Sequence, residues 1–197
     1  MELYNESCFD LNIENEVDLV VTDPPYQINY KDWDTSDKAF PSKYLNLCYN
    51  ALKPEGSMWL FNSPLRIREN LSAIDESGFT NKLENWCIWA RNKGRSSAQK
   101  LKSTREDVFQ LVKSKTYTWN EVRVLREVIA PYMKDGKPKG WFVDVDGIRK
   151  RWTGLGNVWM YSALFWKSKL DKQIHPAQKP IELLCRLILI SSNEGDL

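Results

Sequence analysis

Val17-Asp18-Leu19-Val20-Val21-Thr22-Asp23-Pro24-Pro25-Tyr26 is the stretch whose pattern decides the architecture. Leu19 to Thr22 form a short apolar run, led by Asp18 and stopped by a proline pair. A run of that length between breakers predicts a buried strand of a parallel sheet. Downstream, Tyr44, Cys48 and Leu52 recur at helical spacing and predict a helix over Pro41–Leu52. Lys53-Pro54-Glu55-Gly56 should stop it. Ser57–Phe61 then predicts a strand, Pro64–Ser77 a helix, and the residues near Trp86–Trp89 another strand after Gly78. Strands alternating with helices indicate the α/β class. Past Arg91 the pattern turns irregular. Asp107–Val112 predicts a strand, Lys134–Gly140 a basic turn, and Pro180 the first turn of an apolar helix reaching Ile190. Asn193–Leu197 reads as a turn leading into a further strand.

The chain has 197 residues, 42% of them hydrophobic, which suffices for a domain-sized core. No apolar run approaches the roughly 18–20 residues that span a bilayer. Met1–Glu6 is acidic and lacks a signal-peptide core, so the expectation is a cytoplasmic protein without membrane contact. The cysteines Cys8, Cys48, Cys87 and Cys185 are scattered, and His175 is the sole histidine. A zinc site needs about four clustered ligands, so the pattern predicts no metal and reduced, mostly buried thiols.

The net charge of +2 is unevenly spread. Residues 1–40 hold ten acids against Lys31 and Lys38, whereas residues 91–115 hold eight bases against Glu106 and Asp107. A basic middle beside an acidic start suits a polyanion lying across one face. Arg149, Lys150 and Arg151 are the candidate phosphate contacts. Trp86, Trp89, Trp119, Trp141, Trp152, Trp159 and Trp166 are expected mostly in core or interface positions, given their area. Gly154-Leu155-Gly156 reads as a turn.

Asp23-Pro24-Pro25-Tyr26 stands at the carboxyl end of the predicted strand, where open α/β sheets place ligands. An exocyclic amine of a nucleobase is a poor nucleophile because its lone pair is delocalised into the ring. Asp23 and the Pro24 carbonyl suit a role as acceptors for both amine hydrogens, favouring a pyramidal, nucleophilic nitrogen. Pro24 and Pro25 fix φ and hold those acceptors rigidly. Tyr26 offers an aromatic face on which a flipped-out base can stack.

The stretch from Val17 to Tyr26 resembles the catalytic motif of S-adenosylmethionine (SAM)-dependent DNA amino-methyltransferases. His175-Pro176-Ala177-Gln178-Lys179-Pro180 and Ala51-Leu52-Lys53-Pro54-Glu55-Gly56-Ser57 resemble two further segments of that family, in the β-class order. The resemblance implies a Rossmann-like methyltransferase fold, incomplete at the C-terminus. It also implies methyl transfer from SAM to adenine N6 in double-stranded DNA with a flipped-out base, in a restriction-modification setting. Cytosine N4 is the alternative target, and a non-catalytic DNA-binding remnant or half of a split enzyme the alternative role.

By the same resemblance Asp23, Pro24, Pro25 and Tyr26 are catalytic, and Asp23, His175, Gln178 and Lys179 face the cofactor. Residues 1–120 form the catalytic part, 121–155 the target-recognition region, and 156–197 the return to the core. Two departures stand out. Glu6-Ser7 occupies the place of the family's Gly-Asp, and the family continues past Leu197 into a Phe-x-Gly-x-Gly loop. The expectation is therefore that these residues alone bind SAM weakly and need a C-terminal half or second subunit. None of the four cysteines follows proline, which disfavours the cysteine chemistry of cytosine carbon-5 methylation.

Overall fold

The computed structural model describes residues 5–29, 32, 34, 40–91, 98–129, 132–161 and 177–197. The chain divides into two compact units, Met1–Trp119 with Asn157–Leu197, and Asn120–Gly156. In the first, a 3-10 turn at Cys8–Asp10 precedes β1 (Val17–Thr22), α1 (Phe40–Ala51) and β2 (Leu52–Asn62). A second 3-10 turn (Pro64–Arg66), α2 (Ile67–Asp75), β3 (Leu83–Ala90) and β4 (Arg105–Val112) follow. The second unit holds β5 (Arg123–Glu127), β6 (Met133–Lys134), β7 (Lys137–Pro138), β8 (Phe142–Val143) and β9 (Arg149–Gly154). The chain then re-enters the first unit through β10 (Val158–Met160) and α3 (Ile181–Ser191).

Five strands form one sheet in the order β1-β2-β4-β3-β10. β1 is parallel to β2 and β10 to β3, while β4 runs antiparallel between β2 and β3. Parallel strands need a crossover, which α1 supplies between β1 and β2 and α2 between β2 and β3. The reversal of β4 has a chemical consequence: its first residues meet the carboxyl ends of β2 and β3. Asn62 pairs with Asp107, Trp89 with Glu106 and Ala90 with Arg105.

Strand alternation divides the side chains between two faces. Met58, Leu60, Phe109 and Leu111 join Leu45, Leu52, Ile74 and Phe79 in the main buried cluster, shared with α1 and α2. Each fully buried side chain of this kind contributes about 1.5–3 kcal/mol. On the other face Trp59 Nε1 donates to Ser191 Oγ of α3 at 2.8 Å. Leu183, Leu187 and Ile190 are buried at helical spacing along that helix.

Several expectations need correction. β1 is half-buried along its length, because its only long-strand neighbour in the described sheet is β2. On its other side the Leu197 carbonyl accepts the Asp18 and Leu19 amides at 2.6 and 3.2 Å, where the turn after Asn193 delivers the chain. β2 starts at Leu52, not Ser57: Val17 opposes Leu52 and Leu19 opposes Ser57, so Lys53–Gly56 bulges within the strand. A Cβ on Gly56 would lie 3.0 Å from the Asp18 carbonyl oxygen, so glycine permits the close approach. The predicted Pro64–Ser77 helix is a 3-10 turn followed by the shorter α2.

β5, β8, β9 and β10 are strands that the pattern did not signal. β5, for example, has a single partly buried residue and no alternation to read. In the Asn120–Gly156 unit, β5, β9 and β8 form an antiparallel sheet, and β6 and β7 a hairpin. Asp135 and Gly136, both at positive φ, make its two-residue turn within the expected basic turn.

Trp89 and Trp159 are core residues, but Trp86, Trp119 and Trp152 are exposed by 40%, 46% and 56%. Trp166 lies outside the described residues. Only Cys48 and Cys87 are buried; Cys8 and Cys185 are exposed, against the expectation of mostly buried thiols. Among the described residues no helix is long and apolar enough to cross a membrane.

Candidate active site

Asp23–Tyr26 continue β1 past the carboxyl edge of the sheet, and Thr22 before them accepts a hydrogen bond from the Tyr44 hydroxyl of α1. Lys179, immediately ahead of Pro180 at the start of α3, reaches the same edge. Its Nζ lies 2.6 Å from Asp23 Oδ2 and 3.4 Å from Glu106 Oε2. The Tyr26 hydroxyl donates to Glu106 Oε2 at 2.9 Å, and Arg91 Nη1 to Glu106 Oε1 at 2.8 Å. The ammonium also stands 5.1, 5.5 and 6.0 Å from the ring centres of Phe61, Tyr26 and Trp89.

Burial gives this network its force. Lys179 is 9% exposed and Glu106 8%, whereas the Asp23 side chain retains 27%. A desolvated ammonium needs charge-bearing partners, and two carboxylates and three aromatic faces provide them. Deleting one partner of such a buried pair costs about 3–5 kcal/mol. Burial pushes the Tyr26 phenol well above its ordinary value, and the nearby Glu106 and Asp23 carboxylates add to the effect. Tyr26 is therefore a neutral hydrogen-bond donor at working pH. Asp23, the least buried charge, is the one that can turn toward a ligand.

Of the residues singled out in the sequence, Asp23, Tyr26 and Lys179 come together here. Pro24 and Pro25 line a cleft of about 570 Å³ on the α1–α2 side, together with Tyr26, Tyr44 and Arg66. Gln178 is half-buried beside Lys179, and His175 lies outside the described residues. Arg149, Lys150 and Arg151 belong to β9 in the Asn120–Gly156 unit. Lys150 is locally neutralised: its ammonium bonds Asp144 and lies 3.8 Å from Asp146. The Arg149 guanidinium stands 5.8 Å from the Trp141 ring centre, and Arg151 is exposed, paired in register with Arg126 of β5. Among the described residues no group of three metal-ligating side chains assembles.

Glu106, Arg91, Phe61 and Trp89 were not recognised as site residues from the sequence. The available signal was Arg105-Glu106-Asp107 at the head of an apolar strand. Seven of the eight β4 residues are buried, and charges in so buried a strand need partners.

A family model described as DNA methylase, covering N6 and N4 methylation, matches residues 17–197. The chain is 31% identical over 218 residues to the type II methyltransferase M1.MboII of Moraxella bovis, covering all of this chain and 81% of that one. It is 30% identical over 201 residues to the DNA adenine methyltransferase YhdJ of Escherichia coli (strain K12), covering 92% of this chain. There it spans 63% of the relative's length. Among solved structures, the cytosine-N4-specific PvuII DNA methyltransferase superposes with a TM-score of 0.60 at 16% identity, over 93% of this chain and 66% of that one.

Proposed function

The chain belongs to the N6/N4 DNA methylase family, and from that premise we propose that it transfers a methyl group from SAM to the N6 amine of adenine in DNA. The observation that carries this is the Asp23–Lys179–Glu106–Tyr26 network at the carboxyl end of β1. Asp23 and the Pro24 carbonyl accept the two amine hydrogens, Tyr26 stacks against the extruded base, and the prolines hold the acceptors still. As methyl donor, SAM brings its own activated leaving group, so positioning and electrostatics are what the protein contributes. The Asp23 carboxylate and the Tyr26 ring would attract its cationic sulfonium once the Lys179 ammonium has turned to Glu106. The nitrogen–carbon bond forms as the carbon–sulfur bond breaks, the thioether leaves neutral, and the nitrogen sheds its surplus proton to solvent.

Lys179 has a defined part in this scheme. It is paired with Asp23 through Oδ2, and Glu106 offers it a second partner 3.4 Å away. Base entry shifts the ammonium toward Glu106 and frees Asp23. Gln178 and His175 serve the donor side by family position, and Arg149 and Arg151 contact phosphates, with Lys150 secondary because Asp144 already holds it. The Asn120–Gly156 unit is the target-recognition region. Adenine is preferred because the tetrapeptide begins with aspartate, where enzymes acting on cytosine often carry serine.

The test is to incubate the complete protein with unmethylated genomic DNA and methyl-labelled SAM, digest the DNA and separate the nucleosides. Label in N6-methyladenine is expected. Label in N4-methylcytosine would overturn the choice of base. No transfer under conditions where the protein binds DNA would point instead to a non-catalytic role, or to a missing second subunit if an added downstream polypeptide restores it.

A further inference from the structure

Directly after Tyr26 the backbone takes a conformation that side-chain-bearing residues rarely adopt. Gln27 has φ 57° and Asn29 φ 55°, both in the left-handed region. Two side chains hold the Gln27 peptide units from opposite sides. Asp34, 1% exposed, accepts the Gln27 amide at 2.5 Å and the Ile28 amide at 3.1 Å, and its own carbonyl accepts the Asn29 amide at 3.1 Å. Arg66, at the end of the 3-10 turn after β2, donates from Nη2 and Nε to the Gln27 carbonyl at 2.8 and 3.2 Å. Its third arm, Nη1, is fixed by Glu69 of α2 at 3.0 Å.

We propose that Arg66 and Asp34 are positioning residues that lock the left-handed turn after Tyr26 and so hold Tyr26 and Asp23 in register with Lys179. This rests on the methyl-transfer reading above, for which that register matters. The physics is local. A planar guanidinium binding one carbonyl through two N–H groups fixes both the position and the orientation of that carbonyl. A buried carboxylate taking successive amides fixes the other side of the same turn. Glutamine is not among the residue types that favour positive φ, so contacts such as these are needed to hold the conformation. Without them the turn relaxes toward right-handed values and displaces the ring preceding it.

The test compares wild type, Arg66→Ala, and Arg66→Ala combined with Gln27→Asn in the complete protein, asparagine being the residue that best tolerates positive φ after glycine. Hydrogen exchange is read over residues 24–29, and kcat and KM for methyl transfer to genomic DNA are measured in parallel. Arg66→Ala should speed exchange at Gln27–Asn29 by about tenfold and leave the α3 amides unchanged. It should lower kcat by up to about 10²-fold, the scale of a 1 Å misplacement, with KM for SAM changed less than about threefold. Gln27→Asn should recover most of the lost kcat. Unchanged exchange in Arg66→Ala, or lost kcat with no recovery by Gln27→Asn, overturns the proposal. Wild-type protein that transfers no methyl overturns the methyltransferase reading instead, and the exchange arm still decides the lock.

Discussion

On the α1–α2 face of the sheet, β2 and β4 present Met58, Leu60, Phe109 and Leu111, none more than 4% exposed. On the α3 face the same strands present Trp59, Phe61 and Val108, equally buried, and then Glu106. The first face is apolar through these residues, and at its edge the buried Asp107 accepts a hydrogen bond from Trp86 Nε1 at 2.7 Å. The second ends in a charged corner because β4 enters from the edge where β1, β2 and β3 finish. Its opening residues thus reach the tetrapeptide at the end of β1. The lesson is that stability and chemistry are separable on one sheet: charge is tolerated at the corner because Lys179, Arg91 and Tyr26 partner it there.

The largest test of that separation is Phe109→Ala. Removing a buried aromatic from the dry face should cost about 3–5 kcal/mol, read as a lower denaturant midpoint with an unchanged slope. A loss below about 1 kcal/mol would break the contrast.

Glu106→Gln probes the other side. The amide oxygen can still accept from Tyr26, but the negative charge is gone and Lys179 is left to Asp23. Methyl transfer should fall by about 10²-fold, with a stability loss nearer 1–3 kcal/mol. Equal activity with large destabilisation would mean that the corner is merely structural.

A smaller effect is expected at Asp18. Burial pulls its carboxyl upward, yet hydrogen bonds from Lys53 and the Leu197 amide hold it below the ordinary value. A depressed folded-state pKa stabilises above the unfolded value and is lost as pH falls through the folded one. Asp18→Asn should therefore cost less than about 1 kcal/mol at pH 7, and the two proteins should converge in acid, once the pH has fallen through the lowered folded-state value. A difference that persists in acid would assign the effect to packing.

The thiols sharpen the contrast without changing energy. Burial pushes Cys48 and Cys87 up to about 12, so a thiol reagent at neutral pH should label the exposed Cys8 and Cys185 alone. Four adducts on the native protein by intact mass would show that the core opens.

The parallel β1–β2 pair, the helices between the strands and the candidate tetrapeptide Asp23–Tyr26 were legible because apolar runs, helical spacing and proline breakers are local signals. Glu106 was not, because its partners Tyr26 and Lys179 lie 80 and 73 residues away along the chain. Only the antiparallel insertion of β4, which carries no local signature, brings them together. The half-burial of β1 was missed for a related reason: an apolar run shows that a strand forms, while its neighbours decide how far it is covered. β5 and β9 are mostly exposed and carry no periodicity to read.

The central claim is that Asp23 and Tyr26 grip a base amine at the carboxyl end of β1. The direct measurement is the single-turnover rate of methyl transfer from SAM to DNA by the complete protein with both residues changed to alanine, alongside its SAM affinity. The account predicts a rate lower by at least about 10³-fold, as for lost transition-state contacts, with SAM still bound. An undiminished rate in the Asp23→Ala, Tyr26→Ala protein would contradict it.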